Sequence, residues 1–259
     1  MRAISTAATG MQAQETKLEQ IANDMANMGT TGFKKGRTEF HDLFYQTVKA
    51  PAGIPGVNEA PVGVQIGAGS RVAGSYAIFD QGPLQVTNGM FDLAINGDGF
   101  FQVQQKDGSV AYTRAGTFNV NRDRQLVDLS GRPVVPAVSI PSDTAGVTIT
   151  ADGEILVMTT GGQDMAVGKI TLATFVNPGA LQKLGGNNYG RSPAAGEPKV
   201  LEPGTSGAGA LQQGAIEKSN VNPTESVMEM ISAQRMYEGN ARMMGVADKT
   251  WETTLNVGR

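Results

Sequence analysis

Apolar residues recur every seven positions at the start of the chain, and the same period returns only at its end. Ile4, Met11, Leu18 and Met25 form one line, with Ala7, Gln14, Ile21 and Met28 at the three-residue offset. Two such lines make an a/d seam over four repeats, interrupted only by Gln14, the pattern of a helix that packs along another helix. Asn27, Gly29 and Gly32 follow, residues that tolerate the left-handed or extended backbone that stops a helix. The predicted helix therefore runs from about residue 3 to that stop signal.

The other end carries a complement. Asn222 suits an N-cap, Pro223 the first helical position, and Glu225 a capping box. Met230, Tyr237, Met244 and Trp251 then recur at seven, with Val227, Gln234, Ala241, Asp248 and Leu255 on an adjoining line. At ~1.5 Å per residue the first helix would be roughly 35–40 Å long and the second about 50 Å. Ordinary core helices show the same period. These two are set apart by their position at the chain's extremes, around a middle of different character.

Between them the period falls from seven to two. Ser75 to Phe79, Phe91 to Ile95, Phe100 to Val103, Val110 to Thr113, Thr117 to Val120, Val147 to Thr150, Ile155 to Val157 and Ile170 to Phe175 are predicted strands. Asn96-Gly97-Asp98-Gly99, Asp107-Gly108, Ser130-Gly131 and Asp152-Gly153 supply turns. The pattern predicts an all-β unit over roughly residues 70–185. Residues 185–214, rich in glycine and proline, are expected to be extended and loop-like. Residues 48–63 are similar, and follow an aromatic cluster of Phe40, Phe44 and Tyr45 that needs something to bury against. The expected fold is α+β, with two terminal helices in a coiled-coil-like layer, a central mainly-β domain and an extended arm. Its segments are 1–32 (N-terminal helix), 33–70 (connection and arm), 71–184 (β domain), 185–221 (return segment) and 222–259 (C-terminal helix).

Composition removes several classes of function. The net charge of −3 offers no basic field for nucleic acid, and Lys34-Lys35-Gly36-Arg37 is expected to be a solvated turn. There is no cysteine, hence no disulfide, thiolate metal site or cysteine nucleophile. No stretch reaches the ~18 apolar residues that a spanning helix needs. Arg2 is followed by Ser5, Thr6, Thr9 and Gly10 rather than an apolar run, so no cleavable secretory signal is expected. A role outside the cytoplasm would require another export route.

No catalytic constellation survives a search. His41 is the single histidine, which removes the Ser-His-Asp and multi-histidine arrangements; Glu39 and Asp42 beside it are expected to be incidental. Asp92 and Asn96-Gly97-Asp98-Gly99 lack the ligand alternation and distant glutamate of a calcium loop, and are expected to form a hairpin turn. Gly67-Ala68-Gly69-Ser70 lacks the Gly-Lys-Ser/Thr ending of a phosphate loop. The methionines of the C-terminal helix (Met228, Met230, Met236, Met243, Met244) suit adaptable helix packing better than metal ligation. No cofactor and no metal are expected.

Several motifs carry a resemblance. Ile-Ala-Asn-Asp-Met-Ala-Asn-Met-Gly-Thr-Thr-Gly-Phe-Lys (21–34) resembles the signature of the flagellar rod and hook proteins. So do Phe-Asp-Leu-Ala-Ile-Asn-Gly-Asp-Gly-Phe-Phe-Gln-Val (91–103), Tyr-Thr-Arg-Ala-Gly-Thr-Phe (112–118), Ser-Asn-Val-Asn-Pro (219–223) and Met-Ile-Ser-Ala-Gln-Arg-Met-Tyr-Glu-Gly-Asn (230–240). Ala22 and Asp24 depart from the family's usual serine and asparagine. The length and the segment from Phe40 to Thr47, with its Pro/Gly-rich sequel, resemble the distal-rod branch more than the hook or proximal-rod branches.

The resemblance implies a structural subunit of the bacterial basal body, exported unfolded through the flagellar type III apparatus. It implies helical self-assembly into a drive shaft crossing the periplasm. Its neighbours would be copies of itself, the proximal rod proteins, the hook protein, and the peptidoglycan and outer-membrane rings. Assembly would run through Ile4, Met11, Leu18, Ile21, Met25 and Met28 against Met230, Tyr237, Met244, Trp251 and Leu255. Phe40, Phe44, Tyr45, Pro51, Pro55 and Pro61 would form a rod arm. A proximal-rod or hook homologue is the near alternative, and a secreted β-rich enzyme or binding module the remote one.

Overall fold

A computed structural model of the chain describes residues 2–49, 63–159, 163–205 and 207–257. The chain forms two compact units. Unit one comprises Met1–Met25, Gly36–Ser75 and Pro223–Arg259; unit two comprises Ala26–Lys35 and Tyr76–Asn222. Pro51, Pro55 and Pro61 lie outside the described residues.

Unit one contains both terminal helices and a β-ribbon. Helix α1 spans Arg2–Ala26. It buries Ala7, Ala13, Ile21 and Asp24, and half-buries Ile4, Met11, Leu18 and Met25. The predicted segment of connection and arm contains regular strands: β1 (Gly36–Asp42), β2 (Tyr45–Lys49), β3 (Val64–Gly67) and the start of β4 (Ser70–Ala77). β1 pairs with β4 and β2 antiparallel with β3, making a two-tier hairpin. Threonine, valine and aromatic residues favour strand here. Asp24 ties the ribbon to the helix, accepting the Gly36 N–H on both carboxylate oxygens at 3.2 and 3.1 Å and the Gln20 amide at 2.8 Å. Helix α2 (Pro223–Val257) begins at the proline that marks its predicted start.

Among its described residues unit two carries sixteen further strands. They are β5 (Leu84–Val86), β6 (Leu93–Asn96), β7 (Phe101–Gln104), β8 (Val110–Thr113), β9 (Phe118–Val120), β10 (Leu126–Asp128), β11 (Val134–Val135) and β12 (Thr144–Ile149). After these come β13 (Glu154–Thr159), β14 (Asp164–Lys169), β15 (Leu172–Thr174), β16 (Gln182–Gly185), β17 (Asn188–Gly190), β18 (Lys199–Leu201), β19 (Ala210–Gln213) and β20 (Ala215–Glu217). A five-stranded antiparallel sheet runs β11-β7-β8-β17-β16 and a three-stranded one β12-β13-β14.

Each face of the larger sheet has its own core, because successive residues of a strand point to opposite sides. Phe101, Val103 and Ala111 face an aliphatic core with Leu93, Ile95, Val134, Ile155 and Leu172. Phe100, Tyr112 and Tyr189 face an aromatic core. There Phe79 meets Phe100 and Tyr189 edge to face at 5.0 Å, and Tyr112 meets Phe175 at 4.7 Å. Burial raises the pKa of both Tyr112 and Tyr189.

The loop-like reading of 185–214 is corrected: β17, β18 and β19 lie within it, and β20 just beyond. β19 pairs with β6 and β20 with β5, so long-range partners make these segments strands despite weak local propensity. The expected hairpin at Asn96-Gly97-Asp98-Gly99 is also corrected. This turn joins β6, paired with β19, to β7, paired with β8.

Candidate functional site

Within unit two the motif residues meet. Lys34, expected in a solvated turn, is instead fully buried. Its Nζ donates to Glu217 Oε1 at 2.5 Å and to the Asp80 carbonyl at 2.7 Å. Glu217, also fully buried, accepts the Gly82 N–H at 2.9 Å and the Arg114 Nη1–H at 3.4 Å. Arg114 donates a second bond to the Gly97 carbonyl at 2.9 Å. One acidic residue thus binds the segment after α1, the β4–β5 connection and the β8–β9 connection onto β20.

Asn220 adds a second tie. Its side-chain oxygen accepts from the Lys35 N–H at 2.7 Å, and its amide nitrogen donates to the carbonyls of Ile78 (2.9 Å) and Asp80 (3.2 Å). Gly32, with φ 71°, has backbone atoms of Arg114 and Ala115 within 2.6 Å of where a Cβ would sit, so only glycine fits. The collar carries two buried cations against one anion. Burial lowers the pKa of Lys34 and of Arg114, with Glu217 opposing the shift in both.

The comparisons with known proteins converge on one assignment. A family model for flagella basal body rod proteins matches residues 4–34. The flagellar hook protein FlgE/F/G D1 domain matches 94–157, and the flagellar basal body rod FlgEFG C-terminal domain matches 212–257. The flagellar basal-body rod protein FlgG of Buchnera aphidicola subsp. Acyrthosiphon pisum is 42% identical over 244 residues, 93% of this chain and 94% of that protein. That of Agrobacterium fabrum is 42% identical over 253 residues, 96% of each chain. The chain belongs to the flagellar basal-body rod protein family. The basal-body rod protein FlgF of Caulobacter vibrioides is a more distant relative, 34% identical over 91% of the chain and 90% of its own length.

In this rod-family protein the collar residues come from separate motifs: Lys34 from the first, Gly97 and Arg114 from the central pair, and Asn220 from the fourth. Glu217 belongs to none and was missed by sequence reasoning, although a lone acid in the apolar run Gly214-Ala215-Ile216 was a usable signal.

The helix-seam residues have mixed environments. On α1, Ile21 is buried, and Met28 falls past the end of the helix and is 40% exposed. On α2, Met230 and Met244 are half-buried, whereas Tyr237, Trp251 and Leu255 are exposed. The line covered beside Met230 and Met244 is Ser226, Ala233, Asn240 and Ala247, not the adjoining Val227–Leu255 line, which is exposed. The two helices approach at Gly10, where a Cβ would stand 2.8 Å from Asn240 Nδ2. Phe40 is half-buried in β1, Phe44 is 90% exposed and Tyr45 is exposed. His41 is exposed, and its neighbour Glu39 pairs with Arg37 at 2.8 Å. Asp92 accepts the Thr87 hydroxyl at 2.5 Å. Among the described residues no group of three His, Asp or Glu side chains could hold a metal ion.

Proposed function

We propose that this chain is a structural subunit of the distal rod of the flagellar basal body, self-assembling helically into the shaft that transmits torque from motor to hook. The observation that carries the reading is the surface of α2. Nine of its large apolar side chains, among them Met228, Met243, Trp251 and Leu255, are exposed in the single subunit. Monomeric proteins rarely expose contiguous apolar surface on this scale, and a helix with apolar residues around much of its circumference packs on more than one side. Higher identity to the FlgG relatives than to FlgF supports the distal position.

In the assembled shaft the terminal helices make the inner coiled-coil-like layer. Ile4, Met11, Leu18, Ile21, Met25 and Met28 act with Met230, Tyr237, Met244, Trp251 and Leu255 in packing neighbouring copies. The hairpin with Phe40, Phe44 and Tyr45, together with Pro51, Pro55 and Pro61, is the arm that stiffens the shaft, since proline fixes φ and resists bending. The proximal rod proteins and the hook protein adjoin the shaft's two ends, the peptidoglycan and outer-membrane rings surround it, and the flagellar type III apparatus exports the subunit.

The test is polymerisation of purified chain, with Leu18→Glu and Met244→Lys as variants. Both should fail to polymerise while unit two melts as in the parent, because an unpaired charge in a packed apolar seam costs several kcal/mol. Normal polymers from either variant would contradict the helical-layer reading.

A further inference from the structure

We propose that the segment Asp42-Leu43-Phe44-Tyr45, where β1 passes into β2 of one subunit, docks in the aromatic groove of unit two on a second copy. The inference rests on the self-assembly reading and names the receiving site for the arm. The groove encloses about 470 Å³ beside β7, β15 and β18. The rings of Phe100 and Phe175, edge to face at 5.8 Å, line it together with Val176 and Leu201. Val176 is 80% exposed, so an apolar wall stands open to solvent.

The chemistry of the groove matches this segment in two respects. Phe44 is 90% exposed, a large apolar side chain for which burial is strongly favourable. Charges also correspond. The groove presents Lys199 and Asp98. Asp42 and Arg71 stand around Phe44 and Tyr45. An acid and a base on each side let Asp42 meet Lys199 while Arg71 meets Asp98. Aromatic and arginine-rich contacts of this kind anchor protein interfaces, and complementary charge fixes their register.

Because the chain has no cysteine, Phe44→Cys with Val176→Cys supplies a clean crosslinking pair whose disulfide requires close approach of the two backbones. Mild oxidation of the assembled polymer should give a ladder of covalent oligomers, and dilute monomer should give no crosslink. Phe44→Cys with Leu129→Cys, at an exposed position elsewhere on unit two, is the control. A normal polymer without a ladder, a ladder no stronger than the control's, or a crosslink within dilute monomer would overturn the docking. If the cysteine pair prevents polymerisation, charge reversal decides. Asp42→Lys should raise the critical concentration about tenfold and Lys199→Asp in the same chain should restore it; no effect or no restoration overturns the proposal. Failure of the unsubstituted chain to polymerise would overturn both this docking and the self-assembly reading, and so differs from a polymer that forms without the crosslink.

Discussion

Replacing Glu217 by glutamine tests the collar. The substitution keeps the shape and an acceptor for the Gly82 N–H, and removes the one negative charge that Lys34 and Arg114 share. Both cations are at most 2% exposed. Removing one partner of a buried ion pair costs about 3–5 kcal/mol because the charge left behind is not rehydrated. For a unit of this size each kcal/mol lowers Tm by about 2–4 °C, so the melting of unit two should fall by roughly 6–20 °C. The tyrosine near-ultraviolet dichroism of the aromatic core, dominated by Tyr112 and Tyr189, reports on this unit directly. Adding Lys34→Met should recover part of the loss, giving a coupling on the order of 0.5–3 kcal/mol. A single-variant shift under about 2 °C, or two strictly additive losses, would refute the reasoning.

Further expectations concern pH, helix contact and the arm. Lys34 is held below its ordinary pKa of 10.5, so the folded state binds fewer protons than the unfolded between the lowered value and 10.5. Its contribution to stability therefore grows as pH rises through that window and is lost as pH falls. Lys34→Met should flatten that part of the Tm–pH profile, and an unchanged profile contradicts the assignment. Gly10→Leu should weaken polymerisation by displacing Asn240 from the helix contact; polymerisation at the parent's critical concentration counts against that contact. Deleting residues 46–62 should leave assembly intact but give curved or compliant polymers, and electron micrographs of polymers as straight as the parent's would remove the arm from the account.

The terminal helices were legible because their signal is local: a seven-residue period, a Gly/Asn stop and an Asn-Pro start each act within a few residues. The strands around Phe101, Tyr112 and Ile155 were legible for the same reason, alternating between glycine turns. β18 to β20 were not, since they depend on partners far away in sequence, as Leu211 does on Ile95 and Ile216 on Gln85. Lys34 misled for a related reason. In the run Lys34-Lys35-Gly36-Arg37 nothing local distinguishes it from a solvated lysine, and its environment is set by Glu217, 183 positions away. On α2 the line covered within the single subunit is one that an apolar count passes over. The small residues Ser226 and Ala233 are the buried ones, because close helix approach selects small side chains.

The central claim is that the terminal helices form the inner layer of a self-assembled shaft. Cryo-electron microscopy of polymer grown from the purified chain tests it most directly. The account predicts a helical tube whose inner wall is made of α1 and α2 from successive copies, with Tyr237, Trp251 and Leu255 buried between subunits and unit two outside. A polymer held together through unit two alone, with those three side chains still in solvent, would contradict it.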